Sequence, residues 1–399
     1  MEIHTFFIIL LAILLSARVL GELAARLGAP SVIGELLAGV LLGPSLLGWV
    51  EPAPVIRLLA EIGIILLLFE VGLETDVMRL ARTGWKPVIV AFVGVTAPLA
   101  GGFGVAYLLF DLPLLVALFI GGAITATSIG ITVRVLADLN RQHSQEAQIV
   151  LGAAVLDDIL GVVLLALLYE FSKSGGVSLV NTGKVVGFIA LFMVLAPFAA
   201  KLMAEIIRRF EGKSQIPGLL PTTVVSLVLF FAWLSHAMGA PELLGGFAAG
   251  VALSRRFAVP MGAAIGAHHE FAHRMEEQMR PIIHLFTPIF FVTVGLSLNF
   301  SVIDWSSPFI WSFSLTLFVV ALLSKLVSGL FIREPFTRRI AIGLAMVPRG
   351  EVGLIFAELG RSTGILTPEV YAGLILVVAL TTLLPPFALK VFYRRFPVE

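Results

Sequence analysis

The sequence predicts an all-α integral membrane protein of about thirteen transmembrane helices. Three observations carry that expectation: the composition, a series of apolar segments of bilayer-spanning length, and a one-sided distribution of arginine and lysine. Of the 399 residues, 58% are hydrophobic and only 13% are charged, and the mean hydropathy is +1.02. A water-soluble domain carries roughly 25% charged residues. This chain therefore lacks the polar groups to face water and must take lipid as its solvent. A net charge of +1, with no basic tail, gives no sign of nucleic-acid binding. Cysteine is absent, which excludes disulfides, thiolate metal sites and cysteine nucleophiles. Residues 5–15 form an apolar run, but no basic stretch precedes it and no clear small-residue cleavage site follows. They are read as a retained helix rather than a signal peptide.

A membrane helix needs roughly 20 apolar residues. Segments of that kind, or nearly so, fall at about 4–26, 31–48, 55–73, 87–109, 113–137, 147–170, 184–207, 221–238, 241–254, 281–298, 308–331, 339–360 and 367–393. With the N-terminus outside, eighteen cations fall in the inside connections, among them Arg26, Lys86, Arg134, Arg141, Arg280, Arg338, Arg394 and Arg395. Only four, Arg57, Lys173, Lys184 and Arg361, fall outside. This is the positive-inside bias, and an odd number of crossings preserves it. The tail after the last segment is a few residues long, so no soluble regulatory domain is expected.

The chain also repeats itself. Residues 28–42 and 239–253 align at an offset of 211 with eight of fifteen positions identical, including Gly34/Gly245, Gly39/Gly250 and Val40/Val251. At an offset of 223, Val71-Gly72-Leu73 matches Val294-Gly295-Leu296, and Ile129-Gly130-Ile131 falls on Val352-Gly353-Leu354. Helices one to six and eight to thirteen are read as two inverted copies, with a linker helix at 182–210. Inverted repeats characterise secondary transporters, because exchanging the conformations of the copies exchanges inside for outside access.

Polar residues inside the apolar segments mark the candidate site. The fifth segment carries Thr125-Ala126-Thr127-Ser128 at its middle, and the twelfth carries Val347-Pro348-Arg349-Gly350-Glu351. Proline removes a backbone donor, and Ser and Thr offer the backbone competing hydrogen bonds. Both helices are therefore expected to break near the midplane, where the half-helix ends can meet ions. The sixth segment contains Asp157-Asp158 in a run that is otherwise apolar from Ile149 to Leu168. An intramembrane charge is costly and marks a functional site by default. Neighbouring helix positions diverge by about 100°, so one carboxylate can face an ion cavity while the other faces a cation on another helix. A site that holds either a metal ion or protons is what exchange requires. Lys325, in the middle of the eleventh segment, needs an anionic partner, and an aspartate of the pair is the natural one. Arg349 and Glu351 either neutralise one another, neutralise the half-helix ends, or handle ions directly.

Other ionisable groups lie closer to the segment ends. Glu70 and Glu74 close the third segment and could line a vestibule. Glu35 and Glu61 fit either an access funnel or packed helix ends. His268, His269 and His273 lie in an inside connection that fits a solvated amphipathic helix, a pH sensor or a metal pair.

Thr125–Ile131, Asp157-Asp158, Lys325 and Met346–Leu354, together with Gly34–Leu42, Leu66–Glu74 and Phe290–Leu296, resemble the signature positions of the monovalent cation:proton antiporter-2 family, in its NapA/GerN-like sodium/proton branch. The resemblance spans nearly the whole chain. It implies an NhaA-type inverted repeat with two discontinuous crossing helices, a homodimer, and no cofactor beyond the transported sodium and protons. It further implies a dimer scaffold at 1–80 plus 215–300 and an ion-carrying core at 86–170 plus 306–395 that slides against it like an elevator. Asp158 would carry sodium or protons, Asp157 would pair with Lys325, and Thr127 and Ser128 would flank the site at the crossing. The Asp-Asp pair with lysine, and the lack of an appended nucleotide-binding domain, favour sodium over the potassium-exchanging members. A potassium/proton antiporter and a sodium-coupled symporter of an organic anion are the alternatives. A channel would need no repeat, and an intramembrane aspartyl protease would place its aspartates on different helices, so a transporter rather than an enzyme is expected.

Overall fold

The computed structural model describes residues 3–51, 53–74, 83–174, 218–238, 241–254 and 269–396, with isolated positions between 183 and 202. Most of the expected linker helix and His268 lie outside the described residues, as do the side chains of Glu74, Glu351, His269 and His273. Among the described residues, regular structure is entirely helical. The helices are α1 (Ile3–Arg26), α2 (Ser31–Leu42), α3 (Pro54–Glu74), α4 (Lys86–Gly104), α5 (Leu114–Ala123), α6 (Ile129–Asp138), α7 (Gln145–Ser174), α8 (Leu219–Ala237), α9 (Glu242–Leu253), α10 (His269–Ser297), α11 (Pro308–Leu330), α12 (Phe336–Ala345), α13 (Glu351–Ser362) and α14 (Pro368–Arg395). Prolines set many of the starts. Pro30, Pro113, Pro241 and Pro335 each stand just before a first turn, and Pro308 and Pro368 open theirs. There the missing N–H costs nothing.

Seven helices of the described residues, α1, α4, α7, α8, α10, α11 and α14, are long and apolar enough to cross a bilayer. The difference from the thirteen expected segments has physical causes. Helices α2 and α9 are apolar but only 12 residues long, short of the roughly 20 a full crossing needs. Two other expected segments are each split into halves, α5 with α6 and α12 with α13, of 10 to 12 residues. Helix α3 is long enough, at 21 residues, but carries Arg57, Glu61, Glu70 and Glu74.

The chain forms two compact units. One holds Met1–Arg57, Trp85–Val177 and Phe291–Glu399, the other Leu58–Gly84 and Ser178–Phe290. In the first, Phe119 of α5, Phe313 and Leu317 of α11, Phe356 of α13 and Leu374 of α14 are all fully buried in one apolar cluster. Glycines there bring α2 against its neighbours: a Cβ on Gly34 would collide with the carbonyl of Leu20, and one on Gly39 with the carbonyl of Val292 and the Cα of Gly295. In the second unit, a Cβ on Gly245 would collide with the carbonyl of Phe231, and one on Gly250 with that of Phe69 and the Cα of Gly72.

A polar staple fixes the first unit where α4, α7 and the α11–α12 turn begin or end. Lys86 Nζ donates to Glu334 Oε1 at 2.6 Å and Arg338 Nη1 to Glu334 Oε2 at 2.7 Å. Arg338 Nη1 also reaches Gln145 Oε1 at 3.0 Å. Burial alone would raise the Glu334 carboxyl, but hydrogen bonds from Lys86 and Arg338 outweigh it and hold it below the ordinary value of 4.5. A carboxyl lowered by folding adds stability above its ordinary value and loses it as the pH falls. Glu334→Gln should therefore lower the melting temperature at pH 7, by the equivalent of about 1 kcal/mol at this partly screened site. The gap to the unsubstituted protein should close as the pH falls below 4.5. A gap that persists at acid pH in thermal melts would assign the effect to packing instead.

Candidate functional site

The two interruptions face each other in the first unit. Helix α5 ends where Thr125 Oγ1 donates back to Gly121 O at 2.7 Å, a side chain competing with the ladder that would continue the helix. Residues 126–128 are non-helical until α6 starts at Ile129. Helix α12 ends at Ala345, and residues 347–350 around Pro348 are likewise non-helical until α13 starts. The two stretches touch through Ser128 N donating to Pro348 O at 2.8 Å. Gly350 is required at this contact, because a Cβ there would sit 2.7 Å from Ser128 Oγ and 2.9 Å from Ser128 Cβ.

Three of the half-helix ends at this crossing show their partners. Arg349, 1% exposed, donates from Nη1 to Thr125 O at 2.8 Å and Ala126 O at 2.6 Å. The guanidinium thus sits at the negative end of α5. Thr127 Oγ1 donates to Met346 O at 3.1 Å and Thr132 Oγ1 to Ala345 O at 2.8 Å, covering the last carbonyls of α12. At the positive start of α6, Thr127 N donates to Asp157 Oδ2 at 2.8 Å. Asp157 completes its coordination with Lys325 Nζ at 3.0 Å from Oδ1, and both side chains are 0% exposed.

Asp158 follows on α7 and is buried, at 6% exposure. Ser128 is also buried, and its Oγ has no hydrogen-bond partner among the described residues. The fold therefore gathers Asp157, Asp158, Thr127, Ser128, Lys325 and Arg349 about one crossing. Their formal charges cancel: two carboxylates against an ammonium and a guanidinium. One added monovalent cation or one added proton leaves a charge of +1 in a medium where unbalanced charge is costly. Holding both at once would be worse, so the arrangement is able to make cation and proton compete by electrostatics.

Glu351 opens α13 at the second break, and its side chain lies outside the described residues, as does that of Glu74. Glu70 is half-buried on α3 within the second unit. Two site residues were missed in the sequence. On α14, Thr382 Oγ1 donates to Arg349 O at 2.8 Å, and Thr381 O accepts from Arg349 N at 3.3 Å. Their signal was a polar pair in an apolar helix, weaker than a charge because threonine also serves ordinary packing.

The family described as "Sodium/hydrogen exchanger, transmembrane" matches residues 7–394. The chain is 36% identical to the high-affinity Na(+)/H(+) antiporter NhaS3 of Synechocystis, over 96% of this chain and 89% of that one. It is 35% identical to the Na(+)/H(+)-K(+) antiporter GerN of Bacillus cereus, over 98% of this chain and 96% of that one. Its fold is similar to that of the sodium proton antiporter MjNhaP1 from Methanocaldococcus jannaschii, with a TM-score of 0.69 at 17% identity, covering 98% of this chain and 97% of the other. On the match along nearly its whole length, the chain belongs to the transmembrane sodium/hydrogen exchanger family.

Proposed function

We propose that the chain is a secondary transporter that exchanges sodium for protons across a prokaryotic plasma membrane. The observation that carries this reading is the balanced, buried cluster of Asp157, Asp158, Lys325 and Arg349 at the crossing of two interrupted helices. In the proton-loaded form Asp158 is protonated and Lys325 is an ammonium paired with Asp157. Sodium binds at Asp158, with Asp157 and the orphaned hydroxyl of Ser128 beside it, and Lys325 gives up its proton. Two protons then leave for one sodium ion. The sodium-loaded cluster is neutral and the proton-loaded one carries +1, so each cycle moves one net charge.

Access alternates by an elevator motion in this proposal. A core of 86–170 and 306–395 slides against a scaffold of 1–80 and 215–300, which also forms the homodimer. The N-terminus lies outside and the C-terminus inside, as the cation bias suggests. Support for thirteen crossings in two inverted copies comes from paired contacts. Gly34 meets Leu20 as Gly245 meets Phe231, each pair displaced by 211 positions. Gly39 meets Val292 and Gly295 as Gly250 meets Phe69 and Gly72, so each copy's short helix packs on the other copy's third helix.

Potassium is a second cargo to weigh, because the name of GerN includes it. The test is a panel of sodium, lithium and potassium jumps on proteoliposomes holding a pH-sensitive dye. Sodium and lithium should release protons in a saturable way. A response to potassium alone would replace sodium as the cargo, and uptake of sodium without proton movement would reject exchange in favour of symport.

A further inference from the structure

Glu35 lies within an apolar helix, is 2% exposed, and takes no part in the exchange cluster. Such a charge needs a reason. Its surroundings supply one. Helix α6 carries Arg134 and Asp138 one turn apart on its last turns, with Arg134 Nε 3.5 Å from Asp138 Oδ1. Asp138 Oδ2 accepts from both the backbone N and the Oγ of Ser31 at 2.8 Å, so a carboxylate on α6 caps the start of α2. Arg134 Nη2 donates to Ser31 Oγ at 3.1 Å and lies 3.6 Å from Glu35 Oε1.

We infer that Ser31, Glu35, Arg134 and Asp138 form a latch between α2 and α6 that has to open once in every transport cycle. The inference rests on the exchange reading, and adds to it the contact that gates the motion. Helix α6 is the half-helix whose other end, at Thr127, holds Asp157. Its ten residues make a rod about 15 Å long joining the ion site to the latch. Helix α2 belongs to the proposed scaffold and α6 to the proposed core, so any sliding of the core pulls Asp138 away from Ser31. The exposure of the partners fits a contact that breaks and reforms. Arg134 and Asp138 are 21% and 22% exposed, so water can take over their hydrogen bonds on opening. Glu35 stays behind, deeply buried, as the fixed carboxyl group to which Arg134 returns.

The chain has no cysteine, which makes the test direct. A cysteine at 31 puts its sulfur at the position of Oγ, and one at 138 puts its sulfur at the position of Cγ, one bond from the present acceptor. The two sulfurs fall within reach of a disulfide. In proteoliposomes the reduced Ser31→Cys/Asp138→Cys protein should exchange sodium for protons, lose exchange on oxidation, and regain it on reduction. Cross-linked protein that keeps exchanging would overturn the latch. Should the double variant fail to fold, Arg134→Gln answers the same question. It should raise turnover at saturating sodium severalfold, whereas a lowered melting temperature with unchanged turnover would make the contact a structural staple and overturn the proposal. The unsubstituted protein, in the same vesicles, tests the exchange reading separately: absence of its own exchange would reject that reading rather than the geometry of the latch.

Discussion

The Asp158→Asn protein should fold, reconstitute and fail to exchange. Asparagine keeps the shape of the side chain, so the melting temperature should stay within a few degrees of the parent. The anionic partner of the cargo is gone, however. Removing one charge of a buried pair costs about 2–5 kcal/mol, and at about 1.4 kcal/mol per tenfold that weakens sodium binding by roughly 30- to 4000-fold. The site also loses its titrating proton. Asp158 is assigned to the cargo because the resemblance to the antiporter family implies it, while Asp157 holds the Lys325 ammonium and the Thr127 N–H. Full sodium-driven proton release from the Asn variant, read by a trapped pH dye, would remove Asp158 from the mechanism.

The second large effect concerns Lys325, and here structure and transport can be separated. Lys325→Ala leaves Asp157 buried without its cation, and breaking a buried pair this way destabilises by about 3–5 kcal/mol. For a protein of 399 residues that means a melting temperature lower by roughly 4–6 °C. Replacing both partners by neutral residues, Asp157→Asn with Lys325→Met, removes the orphaned charge and should recover most of the loss. Transport should not recover with it. With Lys325 gone, the proton-loaded and sodium-loaded clusters no longer differ in charge, so any residual exchange should be insensitive to an imposed membrane potential. Measured in proteoliposomes with a valinomycin-set potential, an unchanged voltage response in Lys325→Ala would show that Lys325 is not the group that gives up the second proton.

Much of the candidate site was legible in the sequence because its parts stand out one at a time. Asp157-Asp158 and Lys325 are charges in apolar runs, and Pro348 with Thr125–Ser128 are backbone breakers in segments that otherwise read as helices. Each signal is local and needs no knowledge of neighbours. The helix lengths were less legible. Hydropathy averages over a break, so α5 with α6, and α12 with α13, each read as one continuous crossing. Thr381 and Thr382 were passed over because a hydroxyl in a membrane helix is common, and only its partner shows what it does.

The sequence by itself determined the solvent, the two breaks, the buried acid pair and the unattended lysine, since composition, proline and isolated charge act along one dimension. Only the tertiary structure decided which charge meets which. Lys325 lies 168 residues from Asp157 and Arg349 lies 224 from Thr125. Ser31 lies 107 from Asp138. Those pairings come from helices packed edge to edge by glycine and threonine, where each buried charge must find its counter-charge among whatever the packing brings within 3 to 4 Å.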